Sequence, residues 1–152
     1  AILYNHESPR RSAGYVTQKI VRAGVAIKNG RQCRLILGNL AAQVDWAHAA
    51  DHMRALRLIA DVSSPGDFVV ASGQLNTVRD FGTHVFDCLG LNFDSYVEED
   101  RTLIRSVQPQ AELVGNSEKL RRMTGWEPNF TLQGLARDMV DAELARTAAD
   151  KQ

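Results

Sequence analysis

The sequence is poor in the residues that define several protein classes. Two cysteines in 152 residues, Cys33 and Cys88, form no Cys-x-x-Cys pair and no disulfide framework, so they read as reduced, buried thiols in a cytoplasmic protein. Net charge is lacking as well: 18 Lys plus Arg balance 18 Asp plus Glu. That balance excludes the basic excess of a dedicated nucleic-acid binder. No run approaches the roughly 20 apolar residues of a membrane-spanning helix. There is no Gly-x-Gly-x-x-Gly, Gly-x-x-Gly-x-x-Gly, Gly-x-x-x-x-Gly-Lys-[Ser/Thr] or Gly-x-Ser-x-Gly motif. No pair of carboxylates stands out for acid–base work. The chain also opens on the apolar stretch Ala1-Ile2-Leu3-Tyr4, with no initiator Met and no signal-peptide pattern, and so reads as starting inside a larger fold.

What remains is an ordinary globular composition, 44% hydrophobic and 24% charged, in a length suited to about one domain. Ile2 to Asn5 reads as a short buried strand. Val16, Ile20, Ala23, Gly24 and Ile27 recur at helical spacing, and Gly30 stands where a helix ends. Leu35 to Leu37 is a short strand. After Asp45 a second helix is expected to turn Ala49, Met53, Leu56 and Ile59 or Ala60 inward, and Phe68 to Ala71 reads as a strand buried on both faces. Val78, Phe81, Val85 and Leu89 mark a third helix stopped by Gly90. Phe93 to Val97 reads as a further strand, and Glu98 to Ala111 as a long loop. Asn116 is placed to cap a short helix and Thr131 the last one, with Leu132, Leu135, Met139 and Leu144 inward and a fraying tail from Arg146. Helices with a few short strands make this an α/β module.

Four stretches carry candidate chemistry. Asn5-His6-Glu7-Ser8-Pro9-Arg10-Arg11 follows a strand, where open α/β sheets gather ligands, and its guanidiniums suit a phosphate; a solvated polar loop is the equal alternative. Tyr15 to Lys19 opens a helix, whose amino terminus favours an anion that Lys19 can join. His48 and His52 share a helix face, but Ala49 stands where a metalloprotease has its glutamate, so one buried hydrogen-bonded histidine and one surface histidine are expected, with no metal. Arg105, with Gln108 nearby, can reach a charged ligand from the long loop or serve as a plain surface residue.

These pieces occur together in one family. Asn5-His6-Glu7-Ser8-Pro9-Arg10-Arg11 followed by Tyr15-Val16-Thr17-Gln18-Lys19-Ile20 resembles the NHESPRRG…FVTRKI signature of GDP-mannose 4,6-dehydratases. Leu37-Gly38-Asn39-Leu40, Asp45 to Ala49, Asp67 to Gly73, Val114-Gly115-Asn116 and Gly125 to Pro128 resemble later segments of the same family. The resemblance spans nearly the whole chain. It implies the C-terminal, substrate-binding part of an extended Rossmann-type short-chain dehydrogenase. Residues 1–5 would end the Rossmann sheet, and the NADP-binding domain with its catalytic residues would lie outside this chain. It further implies that His6 and Arg11 contact NADP, that Asn5, Val16, Lys19, Leu37 and Gly38 line the GDP-sugar, and that Arg105 and Gln108 sit at its diphosphate. No catalytic residue, metal, nucleic acid or membrane is implied for this segment; a homo-oligomer, dimer or tetramer, is.

Two departures accompany the likeness. Val44 replaces a family arginine that grips the diphosphate, and the family's Arg-Pro-x-Glu reads Arg105-Ser106-Val107-Gln108. Losing one charge-assisted contact costs about 1.5 to 3 kcal/mol. A related nucleotide-sugar reductase or epimerase, or a non-catalytic binding module, therefore stands as the alternative.

Overall fold

The computed structural model of the chain describes residues 1–104 and 113–149. Among them the order is β1 (Ile2–Leu3), β2 (Asn5–Glu7), α1 (Val16–Lys28), β3 (Leu35–Leu37), β4 (Gln43–Val44), β5 (Trp46–His48), α2 (Ala49–Ala60), β6 (Val69–Val70), β7 (Asn76–Thr77), α3 (Val78–Cys88), β8 (Val97–Glu99), α4 (Glu118–Thr124) and α5 (Leu132–Ala149). The architecture is α/β, helices with short strands. The strands associate two by two: β1 with β6, β2 with β5 and β3 with β8 in parallel, β4 with β7 antiparallel. No helix of the described residues is long and apolar enough to cross a membrane.

Helices α1, α3 and α5 pack on one another over the main core. Ile20, Val21 and Val25 of α1 meet Phe81, Val85 and Phe86 of α3 and Leu135, Met139 and Val140 of α5. Helix α3 starts with a reciprocal capping box, in which Thr77 and Asp80 bond each other's backbone N–H. It ends at Gly90, whose φ of +68° no β-branched residue tolerates, while the Leu91 N–H returns to the Phe86 carbonyl. A smaller apolar cluster, Ala55, Phe68, Val70, Leu120 and Trp126, joins α2, β6 and α4.

Several expectations are corrected. The first strand is broken in two at Tyr4, and β1 is not buried: it pairs with β6, but Ile2 is 54% exposed and Leu3 38%, so pairing satisfies its backbone without covering its side chains. Helix α2 turns Asp51, His52 and Ala55 inward, whereas Met53 is 53% exposed. Polar residues take the inward face, so apolar spacing misjudged its rotation. Val69 is only half-buried, so the Phe68 to Ala71 run is not covered on both faces. Phe93 to Ser95 is a 3₁₀ turn, since the Asn92 side chain captures the Ser95 N–H at 3.0 Å and bends the chain before β8 begins. The expected loop after Glu98 contains the end of β8 and a 3₁₀ turn at Arg101–Leu103. Helix α5 runs on through Arg146 to Ala149, with Glu143 inward and Leu144 on the exposed side. Asn116 does accept the Glu118 N–H at 2.8 Å ahead of α4.

Candidate functional site

Parallel pairing of β2 with β5 sets Asn5 opposite Trp46 and His6 opposite Ala47, and the polar loop leaves the carboxyl end of β2 toward α1. Ligands in open α/β sheets collect at that end. Glu7, 3% exposed, ties the loop to the helix: its Oε2 accepts a 2.7 Å bond from the Thr17 hydroxyl and lies 3.2 Å from Arg11 Nε. The Arg11 contact is an ion pair rather than an aligned hydrogen bond, since Nε meets no acceptor at bonding geometry. The Arg11 guanidinium also lies 3.5 Å above the Tyr15 ring, so it is fixed on one edge and one face. Burial pushes the Glu7 carboxyl above its ordinary value of 4.5, opposed by the Thr17 bond and the nearby charges of Arg11 and His6.

On the other side of α1, Lys19 Nζ donates to the Ile36 carbonyl at 2.8 Å, which sets it beside Leu37 and Gly38 at the end of β3. The Leu37 side chain is in the core, so only its backbone faces outward chemistry. A Cβ at Gly38 would meet Leu103 at 3.7 Å, so the 3₁₀ turn at Arg101–Leu103 passes this glycine. Arg105 and Gln108 themselves lie outside the described residues. Thus Asn5, His6, Arg11 and Val16 gather around Glu7 and Thr17, and Lys19, Leu37 and Gly38 form a second group one helical turn away.

Tyr15 and Lys19 stand at a Tyr-x-x-x-Lys spacing, which was not recognised among the motifs. Tyr15 is spent beneath Arg11 and Lys19 on the Ile36 carbonyl, so the two are engaged on different partners.

Both helix-face histidines are buried, which corrects the expectation that one is on the surface. His48 accepts the Ala50 N–H on Nδ1, donates Nε2–H to Asp138 at 3.0 Å, and stacks on Phe130. His52 is fully buried and stacks on His6 with ring centroids 4.6 Å apart. Burial lowers its pKa, the neighbouring His6 adding to the effect, while the His48 and Val70 carbonyls and Asp45 oppose it. His6 Nδ1 donates to the Tyr4 carbonyl at 3.0 Å.

Sequence reading missed Glu7 and Thr17 as the clasp, His52 as the platform, and Asp45 as a hub. Asp45, 1% exposed, accepts from the Ser72 N–H and hydroxyl on Oδ1, and from the N–H groups of Gly73 and Gly115 on Oδ2. A Cβ on Gly115 would fall 2.2 Å from the Ala71 Cβ, so only glycine brings that N–H to the carboxylate. The sole available signal was an acidic residue leading into the apolar Trp46-Ala47. A cavity of about 480 Å3 lies beside this hub, lined by Ser72, Gln74, Asn116 and Arg121 among others, and by none of the expected ligand residues that the structure describes.

The model of the family described as GDP-mannose 4,6 dehydratase matches residues 1–139. The chain belongs to that family. GDP-mannose 4,6 dehydratase 2 of Arabidopsis thaliana is 41% identical over 150 residues, covering 99% of this chain and 40% of that protein. The human GDP-mannose 4,6 dehydratase is 34% identical over 165 residues, covering 96% of this chain and 44% of that protein. Among solved structures, RMD from Pseudomonas aeruginosa complexed with NADPH superposes with a TM-score of 0.84 at 23% identity, covering 95% of this chain and 47% of that one. A dTDP-glucose 4,6-dehydratase from Bacillus anthracis in complex with NAD gives 0.76 at 17% identity, with 96% and 44% covered. At those identities the two structures show the fold alone: the Rossmann-type epimerase and dehydratase architecture. The chain spans less than half the length of each of these four proteins.

Proposed function

We propose that this chain is the nucleotide-sugar-binding part, residues 1–152, of an NADP-dependent GDP-mannose 4,6-dehydratase, a lyase that converts GDP-mannose to GDP-4-keto-6-deoxymannose and water. The observation that carries the reading is the family match over residues 1–139. The local geometry supports it. Arg11 keeps its terminal nitrogens without a partner among the described residues while its Nε edge and one ring face are held, the arrangement that suits an anionic cofactor. His6 has its Nδ1–H committed to Tyr4, so its Nε2 is left as an acceptor. These two residues would hold NADP, which when bound supplies the hydride acceptor and donor.

On the sugar side, Asn5 and Val16 shape the contact and the Lys19 ammonium offers a point charge to the diphosphate. The backbone at Leu37 and Gly38 lies along the nucleotide, and Arg105 and Gln108 complete the grip from the long loop. Preorganised donors of this kind hold the substrate in register without reorganising during the reaction. The acid–base residues belong to the NADP-binding domain and not to this segment. Cys33 is exposed and Cys88 half-buried, where both were expected to be buried; as free thiols they accord with a cytoplasmic setting, and a homo-oligomer of the complete gene product is part of the same proposal.

The test is an assay of the complete gene product with GDP-mannose and NADP, read by mass spectrometry for loss of one water. Product formation is expected. Val44 stands at the position of a diphosphate arginine, so turnover of a different nucleotide sugar, with none of GDP-mannose, would move the assignment to a related reductase or epimerase. The 152-residue chain alone is expected to turn over no GDP-mannose, since it carries no glycine-rich dinucleotide motif.

A further inference from the structure

Glu7 is a buried carboxylate that the proposed reaction does not use. It sits between Arg11, assigned to the cofactor, and Thr17, in the helix turn that carries the sugar-side residues Val16 and Lys19. A single oxygen, Oε2, receives the Thr17 hydroxyl at 2.7 Å and faces Arg11 Nε at 3.2 Å. Thr17 is fully buried in the first turn of α1, next to Val16 and two residues before Lys19. Arg11 has its remaining face on Tyr15. A buried carboxylate is costly unless it is paired and hydrogen-bonded, and here each partner leads to one side of the site. Apolar packing would hold the loop equally well without that cost, so the charge has a use beyond holding the loop.

We propose that Glu7 is a positioning residue that sets both halves of the site from one oxygen: Arg11 on the cofactor side, and the opening turn of α1, with Val16 and Lys19, on the sugar side. This rests on the assignment of Arg11 to NADP and Lys19 to the GDP-sugar. Because the two contacts are chemically different, they separate by substitution. Glu7→Gln keeps an oxygen for the Thr17 hydroxyl and removes the charge that faces Arg11. Thr17→Val removes the hydroxyl and keeps the charge.

The test measures NADPH and GDP dissociation constants by titration of the complete gene product. Glu7→Gln is expected to weaken NADPH about tenfold and leave GDP within about twofold, a tenfold loss being the size of one charge-assisted contact. Thr17→Val is expected to weaken GDP about threefold to fivefold and leave NADPH within about twofold, in line with one neutral hydrogen bond. Any other pattern overturns the proposal, including loss of both ligands in either variant, which marks a general loosening of the loop. Thr17→Val leaves the Glu7–Arg11 pair intact and decides the matter if Glu7→Gln does not fold. Arg11→Ala and Lys19→Ala separate the two levels of inference: if neither changes NADPH or GDP affinity, the site assignment itself fails, whereas if they do and Glu7→Gln does not, only the role of Glu7 fails.

Discussion

Around α1, α3 and α5 the inward positions are mostly hydrocarbon and rings, such as Ile20, Val25, Phe81, Phe86 and Met139. A few residues away, beside β2, β5 and α2, the inward positions are Glu7, Asp45, Asp51, His48 and His52. The first region is held by area removed from water and is insensitive to the direction of any one contact. The second is held by directed bonds to carboxylates. Asp51 accepts the N–H groups of Asn129 and Phe130 at 3.0 Å, and Asp45 gathers three backbone N–H groups from two distant segments. Of the expected ligand residues that the structure describes, Asn5, His6 and Arg11 lie along the second region and Val16 and Lys19 in the turn of α1 that borders it, while Leu37 and Gly38 close β3, with the Leu37 side chain in the first region. A site needs fixed polar groups, and a polar seam can fix them where an oily core cannot.

The sharpest contrast comes from deleting one ring and altering one carboxylate. Phe81→Ala, at a fully buried ring packed on Trp46, is expected to cost about 3 to 5 kcal/mol in urea denaturation. Asp45→Asn turns an amide NH2 toward the N–H groups of Gly73 and Gly115, and two unpaired buried donors cost about 2 to 4 kcal/mol. If that variant loses less than about 1 kcal/mol, the seam is not a structural element and the contrast collapses. Thr77→Ala removes the α3 cap and should cost about 1 kcal/mol by the same measurement. The smallest effect is a pH dependence. Burial raises the Glu7 pKa above 4.5, so its contribution favours the folded chain below 4.5 and is lost as pH rises through the raised value. Urea titrations across the acidic range should show that downward segment in the native sequence and its flattening in Glu7→Gln.

Legibility in the sequence follows the same divide. The spacing of Val78, Phe81, Val85 and Leu89 gives α3, and Val16 to Ile27 gives α1, because apolar burial imposes a 3.6-residue period. Helix α2 was misrotated because Asp51 and His52 face inward, and their partners lie at Asn129, Phe130 and His6, far along the chain. The loop from Asn5 to Arg11 was marked by its residue types alone, and the structure sets His6 and Arg11 on either side of Glu7 in that loop. The oxygen that joins Arg11 to Thr17 was invisible, since no local pattern tells a buried glutamate from an exposed one. The β1 exposure and the Asn92 turn were equally hidden, one set by what packs on the strand's faces and the other by a single side-chain bond.

The central claim is that α1 and its neighbouring loop hold a GDP-sugar. Calorimetric titration of GDP-mannose into the NADPH-loaded complete gene product, native and Lys19→Ala, tests it most directly. Binding by the native protein and a loss of about tenfold in the variant is the predicted result, the size of one charge-assisted contact. Equal affinity in the two proteins, or no heat with GDP-mannose where another nucleotide sugar binds, would contradict it.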